Sequence, residues 1–411
     1  MVLKGKVTVM NRIILLGIIG MVLPLLFACS TDTTLSPEAT ATKEQTTATA
    51  ILEAVVSTEA PPTIATGSQK TQAPASFLLS EPGPYFAGNR LMKIIDESRE
   101  GREIELLIWY PALEEADADG RSIVRDAAPD MSGAPYPLVL TERDSGSTIF
   151  GPHLATHGFV MVSVRSPHTG KDELWSEFVW IDLVRDFLYA LDQIASDPAE
   201  ELSGVIDSDH VGVVGYSYGG DLSLALSGAR VNPDFYLSQC EQISVNVPAE
   251  LQWIYSDFIC PDAVNWDAFV TYVGDEVTNS DHGLWKPITD ERIRAVMPMA
   301  PSVSWYFGES GLAAVDRPIL LVWGTRDVLS PYELEAGYTF ENLKYPDRYL
   351  ISFIGNAHGL PFLEEPAARL KHFAAAFFGT YLQGRVEYLE YFSEDFVNQF
   401  DDLAWGVYSD E

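Results

Sequence analysis

Hydrophobic and polar positions alternate along this chain in a way that predicts strands and helices in turn. Short apolar runs rich in β-branched residues, bounded by polar or glycine-containing segments, indicate strands. The first two such runs flank the polar turn ESREGR and predict a pair of adjacent strands. In chain order the predicted strands are residues 90–96, 103–111, 136–142, 159–166, 210–217, 294–301, 317–324 and 348–355.

Helical spacing fills several of the intervals between these strands. Residues 179–196 carry apolar side chains at helical spacing on one face, namely Ile181, Val184, Leu188, Leu191 and Ile194. A short helix that ends at Gly158, a helix after residue 217 and a closing helix over 367–382 complete the pattern. Strands that alternate with helices predict an α/β fold, with a mostly parallel central sheet covered by helices on both faces. Such sheets bind ligands at the carboxyl ends of their strands.

The N-terminus has the layout of an export signal. Lys4, Lys6 and Arg12 precede an apolar run of about 15 residues, which is shorter than the roughly 20 residues of a membrane-spanning helix. The run ends in LLFAC and resembles a bacterial lipoprotein lipobox. The resemblance implies a signal peptide over residues 1–28 and Cys29 as the lipidated first residue of an exported, membrane-anchored chain. The alternative is an ordinary signal peptide in which this cysteine is incidental.

The next segment lacks the residues that build a core. Residues 29–76 are rich in Thr, Ala, Ser and Pro and predict a disordered tether, with a minor helical patch at 51–56. A folded domain is expected over residues 77–384. The acidic tail, residues 385–411, predicts a surface helix with an aromatic face.

Charge and cysteine content narrow the choice of partner and compartment. The formal net charge is −33 at pH 7, which argues against nucleic acid and anionic lipid head groups as partners. The membrane contact expected is therefore the lipid anchor alone. With Cys29 used as that anchor, Cys240 and Cys260 remain as a pair that an oxidising compartment would allow to form a disulfide.

A strand runs directly into a helix at GYSYGG, with Ser217 at the join. A G-x-S-x-G sequence in that setting predicts a nucleophile elbow, in which a strained turn lifts the serine hydroxyl above the sheet. The positive end of the following helix favours developing negative charge, and the Tyr218 amide is placed to donate to an oxyanion.

A serine hydroxyl needs a base to take its proton. His358 is the candidate, because it lies in a Gly- and Asn-containing loop just past the last predicted strand. His210 lies at the opposite end of the sheet, and His372 lies in the closing helix. His153 and His157 are four residues apart on a helix, but no zinc-site glutamate pattern accompanies them, and we interpret them as structural.

A buried carboxylate is expected to orient the imidazole. Asp327 follows the strand 317–324 by three residues, within reach of the loop after the neighbouring strand. The alternative role for Asp327 is to cap a turn. The chain order Ser217, Asp327, His358 is the order of α/β-hydrolase triads.

These features resemble the α/β-hydrolase superfamily over residues 77–382. The segments GREIELLIWYPA, APYPLVL, LATHGFVMVSV and GYSYGG resemble the serine esterases related to dienelactone hydrolase and to platelet-activating-factor acetylhydrolase. Dienelactone hydrolases proper use a cysteine, so Ser217 favours the acetylhydrolase-like branch. The resemblance implies an α/β-hydrolase fold and hydrolysis of short-chain or lipid-derived carboxylic esters without metal or organic cofactor.

One segment departs from the family pattern. Where such enzymes have His-Gly after the third strand, this chain has Arg143 and Asp144, and Ser145 falls at the position of the second oxyanion N–H. Losing an oxyanion donor costs on the order of 100- to 1000-fold in rate. A serine peptidase on the same fold, and a surface lipoprotein that has kept the fold only for binding, are the alternative functions.

The segment between the helix after Ser217 and the strand 294–301 is long and aromatic. Residues 229–292 are expected to form a cap that supplies an apolar pocket over the site. The alternative is packing against the edge of the sheet.

Overall fold

The computed structural model describes residues 76–113, 123–142, 145–167, 179–279 and 281–409. The predicted signal peptide and lipidation site Cys29, the predicted tether 29–76 up to residue 75 with its expected helical patch, and the pair Arg143–Asp144 lie outside these residues. Every predicted strand is confirmed as an element of one ten-stranded sheet. The strands are β1 Phe86–Asp96, β2 Arg102–Ala112, β3 Ile123–Arg125, β4 Tyr136–Glu142, β5 Val160–Arg165, β6 Ile206–Tyr216, β7 Ile293–Met299, β8 Ile319–Gly324, β9 Arg348–Phe353 and β10 Leu403–Trp405.

The sheet is mostly parallel, as predicted. Its strand order is β10-β9-β8-β7-β6-β4-β5-β2-β1-β3. The six strands from β9 to β5 in this order are parallel to one another, whereas β1, β2 and β10 pair antiparallel. The chain passes from β4 outward to β5 and then returns to place β6 on the other side of β4. The order therefore reverses between β4 and β6, and the carboxyl ends of these two strands flank the crevice where parallel sheets bind ligands.

Helices cover the sheet where the pattern predicts them. Those of eight or more residues are α1 Ser145–Thr156, α2 Val179–Ser196, α3 Tyr218–Leu226, α4 Pro233–Glu241, α5 Trp266–Val273, α6 Ser304–Leu312, α7 Tyr332–Asn342 and α8 Glu364–Gln383. Strands β4, β6 and β8 have almost continuous runs of buried residues because both of their faces are covered. Within the residues described, no helix combines the length and the apolar character that a membrane crossing requires.

The insertion is a string of short helices at the carboxyl end of the sheet. Besides α4 and α5 it contains Ile243–Asn246, Gln252–Ile254, a π-helical turn Tyr255–Ile259, Pro261–Val264 and Asp275–Thr278. Its Tyr236 stacks on Tyr306 of α6, and Tyr255 donates to Glu335 of α7 over 2.9 Å. Since α6 and α7 start where β7 and β8 end, the insertion lies over the carboxyl ends of central strands. A disulfide joins Cys240 to Cys260 within it.

The prediction of a surface helix in the acidic tail, residues 385–411, is wrong. It forms a 3₁₀ segment Val386–Phe392, a single helical turn Glu394–Val397, and β10, which pairs antiparallel with β9. Aromatic and apolar side chains of the tail are buried against α8 and the sheet instead of forming one exposed helical face; they are Tyr391, Phe392, Val397 and Leu403. The tail is thus part of the compact unit that holds the sheet.

Candidate active site

Ser217 lies on the turn between β6 and α3, at the reversal of strand order. Its backbone has φ 56° and ψ −118°, a region that a non-glycine residue enters only under strain. The Ser217 amide donates to the Met299 carbonyl of β7 over 2.9 Å, and the Ser217 carbonyl accepts from the Asp221 amide over 3.0 Å. These two bonds hold the residue in the strained conformation, with its hydroxyl above the carboxyl end of the sheet.

The glycines around Ser217 are required by close backbone contacts. A Cβ added to Gly215 would lie 2.0 Å from the Gly219 carbonyl oxygen, and one added to Gly220 would lie 2.4 Å from the Met299 carbonyl oxygen. Because the obstructing atoms are backbone, no side-chain rotation would relieve these overlaps. The elbow therefore depends on both glycines for its tight strand-to-helix turn.

His358 and Asp327 approach Ser217 from the loops after β9 and β8. The two loops are joined by a hydrogen bond of 2.8 Å from the Arg326 amide to the Asn356 carbonyl. His358 Nδ1 is 2.7 Å from Asp327 Oδ2, and His358 Nε2 is 2.9 Å from Ser217 Oγ. A carboxylate only accepts hydrogen bonds, so Nδ1 carries the proton and Nε2 is left to accept from the serine hydroxyl. The structure thus brings together the three residues that the sequence singles out.

Asp327 combines the two roles that the sequence leaves open. Its Oδ1 accepts from the amides of Leu329 and Ser330, each over 2.9 Å, while its Oδ2 faces His358. The Asp327 side chain is fully buried. The turn that Asp327 caps is therefore also what fixes its carboxylate toward the imidazole.

The two residues expected to donate to an oxyanion begin two helices. Tyr218 is the first residue of α3 and Ser145 the first of α1. First-turn amides have no partner within their own helix. The Gly146 amide, next to Ser145, donates to Glu142 Oε1 over 3.0 Å.

Glu142, which the sequence reasoning missed, lies between these helix starts. It is the last residue of β4, and a Cβ added to Gly219 would come within 2.3 Å of its Oε2. Its carboxylate therefore contacts the start of α3 while accepting from the start of α1. Its position at a strand end was the available signal, but a single glutamate at such an end is too common to single out.

The insertion and the helices α2, α3 and α6 supply carboxylates and phenols near Tyr218. Tyr306 donates to Asp262 Oδ2, and Tyr272 donates to Asp182 Oδ1, each over 2.6 Å. Burial, followed by the charges of Asp221, Asp262 and Asp182, raises the pKa of Tyr218 well above its usual value. The Tyr218 phenol is consequently neutral, although its side chain is 37% exposed.

The other described histidines lie away from this constellation. His153 Nε2 and His157 Nε2 are each 2.9 Å from a backbone carbonyl oxygen, of Leu79 and Glu81 respectively. His372 Nδ1 accepts from the Leu79 amide over 3.1 Å. His153 and His157 thus fasten the start of the folded chain, which agrees with their interpretation as structural. Over the residues described, no group of three or more His, Cys, Asp or Glu has the arrangement of a metal site.

The arrangement has the chemical parts of an acyl-transfer site: a hydroxyl, an imidazole placed to take its proton, a carboxylate behind the imidazole, and a helix N-terminus next to the hydroxyl. Comparison with known proteins adds no assignment, because no family model matches the chain and no curated protein matches it significantly.

Proposed function

We propose that this protein is a serine carboxylester hydrolase with an α/β-hydrolase fold. The observation that carries the proposal is the chain of hydrogen bonds from Ser217 through His358 to Asp327 on an elbow that joins a strand to a helix. Sequence order and geometry agree here independently, since the order Ser, Asp, His is the one expected for this superfamily.

The proposed reaction has two half-reactions. Ser217 Oγ attacks the acyl carbon while its proton passes to His358 Nε2, and Asp327 stabilises the imidazolium through Nδ1. The tetrahedral intermediate collapses as His358 returns the proton to the leaving alkoxide, so that an alcohol departs and an acyl-serine remains. Water, deprotonated by His358, then attacks this ester. His358 returns that proton to Ser217 Oγ as the second intermediate collapses, and the carboxylic acid is released.

The amides at the two helix starts are proposed to stabilise the oxyanion. The Tyr218 amide belongs to the elbow itself, and its position is fixed by the same strained turn that fixes Ser217. The Ser145 amide is the proposed second donor, opposite it across the Glu142 contact. A backbone donor does not depend on side-chain identity, so the family's His-Gly is not required for this role.

Short-chain or lipid-derived esters are the proposed substrates. Apolar side chains follow both loops of the site and are exposed: Val328 and Leu329 after Asp327, and Phe362 and Leu363 after His358. The aromatic insertion over the carboxyl ends of the strands is proposed to act as the cap that completes the pocket. An acidic molecule with such a rim favours neutral, apolar acyl groups over anionic ligands.

We further propose that the protein is exported and held at the membrane by lipid on Cys29. The Cys240–Cys260 disulfide supports export, because such bonds persist in oxidising compartments.

Labelling with a fluorophosphonate tests the proposed nucleophile, because the reagent reacts with base-activated serines. The wild-type protein should label in a 1:1 ratio and Ser217→Ala should not. Ser227→Ala, which removes another hydroxyl at the end of the same helix, should label like wild type. Wild-type protein that does not label would contradict the proposal and favour the binding lipoprotein. Where labelling occurs, aryl esters of increasing acyl length beside peptide amides separate an esterase from a peptidase.

A further inference from the structure

Tyr216, the residue before the nucleophile, connects the elbow to the histidine loop. It is the last residue of β6, and its side chain is buried, with 8% exposed. Its phenol donates a hydrogen bond to the backbone carbonyl of His358. The hydrogen bond therefore runs between the residue adjacent to one reacting group and the backbone of the other.

The ring of Tyr216 also packs against the imidazole. The two ring centroids are 5.0 Å apart with planes inclined by 37°, and Phe362 meets Tyr216 edge-on at 5.7 Å. The imidazole is thus restrained on three sides: by Asp327 at Nδ1, by Ser217 at Nε2 and by the Tyr216 ring beside it.

The histidine loop has open space beside two of its glycines. A Cβ added to Gly355 or Gly359, which flank His358, would meet no atom within 4 Å. Turn hydrogen bonds such as that from the Leu360 amide to the Ala357 carbonyl give the loop its local shape. Hydrogen bonds from Arg326 to Asn356 and from Gly355 to Thr325 hold the loop to the turn after β8, and the bond from Tyr216 ties it to β6.

Tyr216 remains a hydrogen-bond donor over the working range of pH. Burial, together with the charges of Asp327 and Glu142, raises the pKa of its phenol. The proton that the His358 carbonyl needs is therefore retained.

We propose that Tyr216 is a positioning residue that holds the His358 loop in register with Ser217. The role rests on the proposed hydrolase function, but the restraint of the loop is a physical property that can be measured without turnover. Tyr216 contacts no reacting atom in this scheme and acts through His358.

Tyr216→Phe keeps the ring and removes only the hydroxyl. A matched control is Tyr110→Phe: Tyr110 is also buried, and its phenol also donates to a main-chain carbonyl, that of Ala127, over 2.8 Å. Ala127 lies away from the loops after β8 and β9. Both variants lose a hydrogen bond to a main-chain carbonyl, and Tyr110→Phe also loses the interaction of the Tyr110 hydroxyl with Arg90, so a loss of stability is expected in both.

Two readouts distinguish them. In hydrogen–deuterium exchange, the peptide covering residues 354–363 should exchange about 2- to 12-fold faster in Tyr216→Phe, the factor that corresponds to one hydrogen bond. With an aryl ester, kcat should fall by about the same factor while KM stays within twofold. Tyr110→Phe should leave both the loop exchange and kcat within twofold of wild type.

Each outcome decides the inference. Loop exchange and kcat within twofold of wild type in Tyr216→Phe would overturn it. A rise in KM at constant kcat would also overturn it, because the hydroxyl would then serve substrate binding. If wild-type protein shows neither labelling nor turnover, the proposed function fails, and the exchange experiment still decides whether Tyr216 restrains the loop.

Discussion

His358 and the three histidines near the start of the folded chain have the same side chain in opposite settings. His358 lies between a carboxylate and a hydroxyl, 2.7 and 2.9 Å from its two nitrogens, at the carboxyl end of the sheet. His153, His157 and His372 instead face the backbone of Leu79 and Glu81. Burial lowers the pKa of His153 and His372 to about 3, so both rings are neutral at ordinary pH.

The difference teaches that partners, rather than burial or residue type, separate a reactive histidine from a structural one. A backbone carbonyl or amide can fix an imidazole but cannot exchange a proton with it at neutral pH. A hydroxyl at one ring nitrogen can give its proton to the imidazole, and a carboxylate at the other nitrogen stabilises the imidazolium that forms. The three structural histidines fasten a segment in which Phe77 stacks on Phe400 at 4.3 Å and meets His372 edge-on at 5.2 Å.

The largest difference between the two settings is expected when a histidine in each is replaced by glutamine. His358→Gln removes the base, and kcat with an aryl ester should fall by about 10⁴-fold or more, with thermal stability little changed. His372→Gln should leave kcat unchanged and lower the free energy of unfolding by about 1–3 kcal/mol, because it disturbs a fully buried ring. A comparable loss of kcat in both variants would contradict the distinction between a reactive His358 and a structural His372.

Asp327→Asn tests whether the carboxylate gives His358 its reactive tautomer. An amide at this position lets Nδ1 accept instead of donate, and kcat should fall on the order of 10⁴-fold. The labelling rate with fluorophosphonate should fall in parallel. Since Oδ1 of Asp327 also caps the turn at Leu329 and Ser330, circular dichroism and the unfolding midpoint must be compared. If Asp327→Asn loses activity and its circular dichroism and unfolding midpoint change to a matching extent, the role of Asp327 is to cap the turn alone.

Low pH should favour opening of the segment 77–85, whose backbone contacts His153, His157 and His372. Protonation of His153 and His372 is opposed by burial, by the nearby His157 and, for His153, by Lys371. Because their folded-state pKa values lie below the ordinary 6.5, the open segment binds more protons, and stability falls as pH decreases below 6.5. At pH 4.5 the cost is on the order of 3 kcal/mol for each histidine.

Hydrogen exchange of the peptide 77–85, corrected for intrinsic rates, measures this opening. The groups that face the two rings also include Tyr391 beside His372 and Glu81, whose backbone carbonyl contacts His157. His372→Gln removes one of the three histidines whose pKa is lowered in this cluster, so the pH dependence should be less steep. Segment opening that does not change between pH 7.5 and 4.5 would contradict the assignment.

The smallest effect is expected at His157, which is only partly buried. His157→Asn shortens the side chain and removes its hydrogen bond to the Glu81 carbonyl. The free energy of unfolding should fall by about 1 kcal/mol or less, and kcat should not change. Urea unfolding checks the first expectation and ester hydrolysis the second; a loss above about 2 kcal/mol would show that His157 does more than hold one carbonyl.

The sequence predicts the strands, the major helices and the residues of the candidate site because each depends on local pattern. Ser217 is marked by glycines that close backbone contacts require, and Asp327 and His358 by loops at adjacent strand ends. The proximity of these three follows from parallel strands ending at one edge. No similar local rule predicts that Tyr216 donates to the His358 carbonyl or that Glu142 reaches Gly219, because both contacts depend on how separate loops fold back.

The acidic tail shows where local pattern misleads. Its aromatic residues have spacing that favours a helix, yet Tyr391 and Phe392 are inserted beside α8 and a three-residue strand joins the sheet. Burial against an existing core outweighs weak helix propensity in so short a segment. The Cys240–Cys260 bond is a similar case, since sequence gives an even pair of cysteines but no distance between them.

The packing of Phe77 against the acidic tail has a consequence for biosynthesis. Phe77, at the start of the folded chain, packs on Phe396 and Phe400, and the guanidinium of Arg369 lies 5.2 Å from the centre of its ring. The ribosome delivers Phe77 long before Phe396 and Phe400, so Phe77 lacks these partners during most of synthesis. A nascent chain stalled before β10 would leave the edge of β9 unpaired and Phe77 without its partners, exposing both to chaperones and proteases. Synthesis of residues 396–405 thereby covers both surfaces.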